Sequence, residues 1–212
     1  SLGEYSALVA AESLDFFDAV KLVRRRAELM QSAVPSGSGS MAAILGLDDA
    51  KVVEVCTQSS AHGIVEAVNF NSPGQVVIAG EKEAVTNACE LMKEAGAKRA
   101  LLLPVSVPSH CSLMTSASEE FKNSVEDVNF KMTNTRVIHN VHANYAPDVN
   151  EIKSKLVEQL YKPVLWTSTV QKMKKSGVEK LIEAGPGKVL AGLTRRIDKS
   201  LSGSAIIDLA TL

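Results

Sequence analysis

Apolar positions along residues 1–31 recur at helical spacing. Leu8, Val9, Phe16, Phe17, Val20, Val23, Leu29 and Met30 fall largely three or four apart or side by side on one stripe. The stretch predicts helix, broken near residues 13–15, where Ser13 or Asp15 is placed to cap the second piece. Pro35-Ser36-Gly37-Ser38-Gly39-Ser40 then reads as a turn or hinge. From residue 41 the pattern shortens. Residues 41–45 predict an apolar strand, and Asp48 and Asp49 cap a helix carrying Val52, Val53, Val55 and Cys56. A second strand is expected over 64–69, a turn at Asn71-Ser72-Pro73-Gly74, and a third strand over 75–79 with Val76, Val77 and Ile78. A helix over 81–95 is stopped by Gly96, and a fourth strand follows over 99–105. The order β-α-β-β-α-β predicts a ferredoxin-like subdomain over residues 37–106.

Beyond Pro108 the pattern predicts a helix over 111–128 and a strand over 136–140. A helix over 151–160 ends before Pro163 and another spans 166–176. A buried strand over 179–183 and a last helix over 189–197 complete the series. Strands alternating with helices outside the insertion imply an α/β fold, with a mostly parallel sheet covered by helices on both faces. Residues 1–36 and 107–212 are expected to form this core, into which 37–106 is inserted.

Composition narrows the function classes. With 45% apolar and 22% charged positions, the 212 residues have the balance of an ordinary globular protein. A net charge of −1 argues against the broad basic face that nucleic acid requires. Cys56, Cys89 and Cys111 are widely spaced and form no C-x-x-C pair, so buried thiols are expected rather than disulfides or zinc. No apolar run has the length of a membrane span and no secretory pattern opens the chain. The cytoplasm is the default compartment, and no membrane partner is expected.

The chain opens Ser1-Leu2-Gly3 at the mouth of a helix, the right half of the G-x-S-x-G nucleophile elbow. S-x-G alone is a weak signal, since a serine at a helix start is more often a cap. A serine nucleophile needs a base, and there are four histidines. His62 stands in a polar turn. His139 and His142, in H-N-V-H, lack a third ligand or an acidic sequence neighbour and make a poor metal pair. His110 follows Pro108 on a short loop between a strand and a helix, where scaffolds present functional groups. Its ordinary pKa of about 6.5 suits a group that accepts and returns a proton. Arg24, Arg25 and Arg26 read as a solvated helix face unless one points inward. Arg26 lies three residues from both Val23 and Leu29. Gly185-Pro186-Gly187-Lys188 lacks the G-x-x-x-x-G-K-[ST] spacing of a phosphate loop and reads as a turn.

Several blocks taken together resemble the bacterial malonyl-CoA:acyl-carrier-protein transacylases. They are Ser1-Leu2-Gly3-Glu4, Arg26-Ala27-Glu28-Leu29-Met30-Gln31, Asn69 through Gly80, and Val105 through Met114. Gln159-Leu160 with Pro163-Val164 and Trp166, then Glu183 through Leu190, complete the order. The resemblance implies an α/β-hydrolase-like core whose N-terminal part, with the first strands and an oxyanion-hole glutamine, this chain is expected to lack. It implies Ser1 as nucleophile, His110 as base, the Gln159 backbone carbonyl orienting His110, and the Leu2 N–H in the oxyanion hole. On that reading the side chain of Gln159 matters little. Arg26 would bind the malonyl carboxylate, with Met30 beside the acyl group. Asn69, Asn71 and Gln75 would line the pantetheine channel or simply make a turn. Lys98 and Arg99 would meet CoA phosphates or the acidic carrier protein, or be merely solvated. The implied substrates are malonyl-CoA and phosphopantetheinylated acyl carrier protein, with no cofactor, no metal and a monomeric protein. Three alternatives stay open: an acyltransferase domain of a polyketide or multifunctional synthase, a serine hydrolase, and a non-catalytic carrier-docking fragment. Val107-Pro108-Ser109-His110 resembles the free-standing form, and Arg26 has no purpose in a general hydrolase.

Overall fold

Asp15 caps the first long helix. Its carboxylate accepts hydrogen bonds from the N–H groups of Phe17 and Asp18, two of the donors that a helix start leaves unpaired. A computed structural model describes residues 1–105 and 107–207; Ser106, in the block 105–114 that carries His110 (the histidine loop), and the last five positions of the expected core lie outside the described residues. Helix α1 (Gly3–Ala10) precedes the break, and α2 (Phe16–Ser32) follows it. Ala19, Leu22, Leu29 and Met30 of α2 face inward, whereas Phe16, Phe17 and Val20 are exposed. The inward stripe is therefore narrower than the apolar pattern suggested. It meets α5 (Thr115–Glu126) and α6 (Val149–Glu158) in a helical core with Tyr5, Leu8, Phe121, Val125, Leu156 and Leu160.

Between α2 and α5 the chain forms β1 (Gly39–Leu45), α3 (Asp49–Ser59), β2 (Val65–Ser72), β3 (Gln75–Glu81), α4 (Lys82–Glu94) and β4 (Arg99–Leu102). The strand order is β2-β3-β1-β4 with every pairing antiparallel, the ferredoxin-like arrangement. Period-two alternation sends Ala42, Ile44, Val76 and Ile78 onto α3 and α4. Met41, Val68, Val77 and Ala79 face the other way and pack on Cys111, beside His110. The inserted sheet thus backs the histidine loop directly. Gly39 and Ser40, expected in the hinge, are already paired in β1. The hairpin between β2 and β3 tightens to Pro73-Gly74, with Gly74 at φ +72°, a conformation that favours glycine. The fourth strand stops at Leu102, short of the expected 105.

Other differences lie in the remaining core. The expected helix over 111–128 is a 3-10 turn (Ser112–Met114) followed by α5. The strand expected over 136–140 is reduced to β5 (Ile138–His139), paired antiparallel with β6 (Asn144–Tyr145). After α7 (Trp166–Lys175), β7 (Lys180–Ala184) runs parallel to β8 (Ser202–Ile206), with α8 (Val189–Ile197) crossing between them. This pair is the parallel sheet among the described residues. The strand expected to be buried is not: Ile182 is 51% exposed, because β7 has only β8 as a paired strand among the described residues. Strand β8 was hidden in Ser202-Gly203-Ser204, which has turn composition. Among the described residues, no helix is long and apolar enough to cross a membrane.

Candidate active site

The C-terminal end of α6 builds the histidine's seat. A helix end leaves carbonyls without intrahelical partners, and here two of them receive His110. The His110 N–H donates to the Leu160 carbonyl at 2.9 Å, and its ring Nδ1 lies 2.6 Å from the Gln159 carbonyl. A carbonyl can only accept, so Nδ1 carries the proton and Nε2 is left as the basic nitrogen. His110 holds a left-handed backbone, φ +69°, unusual for a non-glycine residue and maintained by these two bonds. His110 is 4% exposed. Burial, opposed by the Gln159 carbonyl and reinforced by the Arg26 charge, pushes its pKa down to about 3. The imidazole is therefore neutral at physiological pH, with its basicity well below the ordinary value.

Ser1 stands at the mouth of α1, where its carbonyl accepts from the Glu4 N–H at 3.3 Å. The Leu2 side chain is exposed, and Leu2 occupies the helix N-cap, where dipoles concentrate partial positive charge. Arg26 reaches over from α2, and its Nη2 donates to Ser1 Oγ at 3.2 Å. Of the three neighbouring arginines it alone turns this way: Arg24 pairs with Glu28, and Arg25 with Glu120, on the surface. Arg26 Nε is buried without a hydrogen-bond partner among the described residues. Burial lowers the guanidinium from its ordinary pKa, against the pull of Tyr5 and Glu4. Nε and Nη2 form one edge of the guanidinium fork, the edge that holds a carboxylate through two parallel hydrogen bonds.

The sequence model of the family described as "Acyl transferase domain" matches residues 1–207. The malonyl CoA-acyl carrier protein transacylase of Haemophilus influenzae is 54% identical over 211 residues, covering 100% of this chain and 68% of that protein. The chain belongs to the acyl transferase family of malonyl CoA-acyl carrier protein transacylases. Its fold is similar to that of an acyl carrier protein S-malonyltransferase from Vibrio cholerae, at 54% identity and a TM-score of 0.94, over 99% of this chain and 68% of that one. It is similar as well to a malonyl-transacylase solved in complex with its type II PKS acyl-carrier protein, at 50% identity and a TM-score of 0.96, over 98% of this chain and 67% of that one.

Within this transacylase fold the other candidate residues scatter. Met30 is packed into the helical core one turn beyond Arg26. Asn69 sits in β2 where that strand bridges Val164 of the core, and Asn71 follows two residues on. Gln75 opens β3, its Oε1 accepting from Arg196 Nη1 at 3.1 Å. Lys98 and Arg99 are exposed at the start of β4, and the Lys98 stem lies against Gly46. His62 is exposed; His142 is paired with Glu158 at 3.5 Å. The thiol of Cys111, next to the histidine, donates to the Pro108 carbonyl, and burial pushes its pKa up to about 12.

Two features escaped the sequence reading. Gln159 is fully buried, and its side chain is engaged: Nε2 donates to the Ser1 carbonyl at 3.3 Å and to Glu4 Oε2 at 2.9 Å. That side chain, expected to matter little, is thus bonded inside the core, because the helix end turns inward. His139, which lacks an acidic neighbour in the sequence, has one in the fold: its Nδ1 lies 2.7 Å from Glu4 Oε1. Glu4 was detectable, since it lies one turn from Leu8 on the buried face of α1, where a carboxylate needs partners.

Proposed function

We propose that the chain transfers a malonyl group from malonyl-CoA to the phosphopantetheine thiol of acyl carrier protein, through a malonyl ester on Ser1. The observation that carries this reading is the Arg26 guanidinium resting on the Ser1 hydroxyl, with a buried Nε beside it that has no partner among the described residues. A cation at that place reads a carboxylated acyl group next to the nucleophile.

In the first half-reaction Ser1 Oγ attacks the thioester carbonyl while His110 Nε2 takes the hydroxyl proton. The Gln159 carbonyl stabilises the imidazolium that forms, in the place an acidic residue fills in other serine enzymes. The Leu2 N–H at the helix mouth meets the developing oxyanion. Collapse breaks the carbon–sulfur bond, and His110 returns its proton to the CoA thiolate. In the second half the carrier-protein thiol gives its proton to His110 and attacks the ester, and Ser1 leaves reprotonated. Both halves run on proton transfer and charge stabilisation, so the chemistry calls for no metal and no cofactor. Met30 lies behind the acyl site. The inserted unit and the core flank the channel for pantetheine, with Asn69, Asn71 and Gln75 at its wall. Lys98 and Arg99 face CoA phosphates or the acidic carrier. A monomer working in the cytoplasm fits this role.

The test is selectivity. Arg26→Ala should lower kcat/KM for malonyl-CoA on the order of thirty- to several-thousand-fold, the 2–5 kcal/mol lost with a buried charged contact. Acetyl-CoA should lose far less, because its penalty for leaving the fork unpaired disappears. Arg26→Lys should recover only part of the loss, since an ammonium lacks the fork. Equal losses for both substrates would refute the role of Arg26.

A further inference from the structure

The Glu4 carboxylate is buried, with its side chain only 2% exposed, and lies three residues from the nucleophile without touching it. Oε1 meets His139 Nδ1 at 2.7 Å; Oε2 accepts from the Asn140 N–H and from Gln159 Nε2, both at 2.9 Å. An ionised group in such a place is costly to bury unless each oxygen is bonded. The bonds it makes run to the end of α6, which seats His110, and to the end of β5.

Gln159 is where this network touches the chemistry. Its Nε2 faces two acceptors, Glu4 Oε2 and the Ser1 carbonyl, so the amide orientation is fixed by its partners. Its Oε1 has no hydrogen-bond partner among the described residues, so the nitrogen side alone holds the amide. The bond to Glu4 is the shorter of its two. The same residue's backbone carbonyl takes His110 Nδ1 at 2.6 Å. Glu4 also donates its own N–H to the Ser1 carbonyl, which therefore receives hydrogen bonds from both Glu4 and Gln159.

We propose that Glu4 is a positioning residue of the acyl-transfer site: through the Gln159 side chain it fixes the carbonyl that holds His110 in its reactive tautomer. The role rests on the reading of Ser1 and His110 as nucleophile and base. Without Glu4 the amide loses its stronger anchor, the carbonyl tilts, and the imidazole can place its proton on Nε2. In that tautomer the ring cannot accept the Ser1 proton.

The experiment compares the intact protein with Glu4→Met and Gln159→Met. Glu4→Met keeps the length of the side chain but removes the oxygen that accepts from Gln159 Nε2 and the Asn140 N–H; Gln159→Met keeps the backbone carbonyl and removes only the amide. Both should lower kcat for malonyl and acetyl transfer alike by roughly ten- to a hundredfold, the loss of one charge-assisted hydrogen bond. KM for malonyl-CoA should stay within about twofold, since no substrate contact is removed. In ¹⁵N spectra the His110 Nε2 resonance should move from the unprotonated toward the protonated position in both variants. Wild-type kcat in the two variants, or a lost kcat with an unmoved Nε2 resonance, overturns the proposal. If the unaltered protein transfers no malonyl group, the acyl-transfer reading itself fails. The resonance comparison then still shows whether Glu4 sets the His110 tautomer.

Discussion

The Nδ1 of His110 lies 2.6 Å from the carbonyl oxygen of Gln159, so the histidine is held by a helix end rather than by a carboxylate. A carbonyl has no proton to lose and no full charge to give. It fixes the tautomer, yet does less than an anion to raise the histidine's pKa against burial. A base that is easily kept neutral and gains a proton only within the reaction follows from this arrangement.

The same burial makes the fold sensitive to acid. His110 in the fold has its pKa depressed to about 3, while in the unfolded chain it stays near 6.5. Below about pH 6.5 the unfolded chain binds a proton that the fold does not, so stability falls as pH drops and levels off near 3. At pH 4 this linked loss is roughly 3 kcal/mol. Urea unfolding of the unaltered protein and of His110→Gln at pH 7, 5 and 4 measures it. The unaltered protein should lose more stability over that range, and parallel curves would contradict the depressed pKa.

Gly80 in β3 is fixed by space. A Cβ there would stand 1.9 Å from the Ile64 carbonyl oxygen, a backbone atom that cannot move aside cheaply. Gly80→Ala should destabilise the protein by roughly 1–3 kcal/mol. Gly192 lies inside α8, where an added methyl group would meet nothing within 4 Å, and should behave oppositely. Gly192→Ala should stabilise by about 0.5–1 kcal/mol. Thermal melts of the two variants side by side decide it, and two shifts of the same sign would contradict the argument.

How far the sequence could be read follows from where its signals are local. The ferredoxin-like unit was legible because short apolar runs such as 41–45 and 76–79 stand between turns marked by Pro73-Gly74 and Gly96. Asp15 and Asp48 marked two helix starts, and both cap them. Ser1, Arg26, His110 and Gln159 were picked out mainly by resemblance to a family. Their spacing along the chain says nothing of the contacts between α2 and the elbow, or between α6 and the histidine loop. Two-residue strands such as β5 and β6 leave no periodic trace. Glu4 and His139 were missed as a pair because they are 135 residues apart, and only the fold brings the two together.

Mapping the acylated residue shows whether a malonyl ester forms on the elbow serine. The intact protein is mixed with malonyl-CoA, quenched in acid, digested and analysed by tandem mass spectrometry, with and without carrier protein. The malonyl group should appear on Ser1 and on no other residue, and should pass to the carrier thiol when carrier is added. A malonyl group mapped elsewhere, or labelling that persists in Ser1→Ala, would rule out Ser1 as the nucleophile.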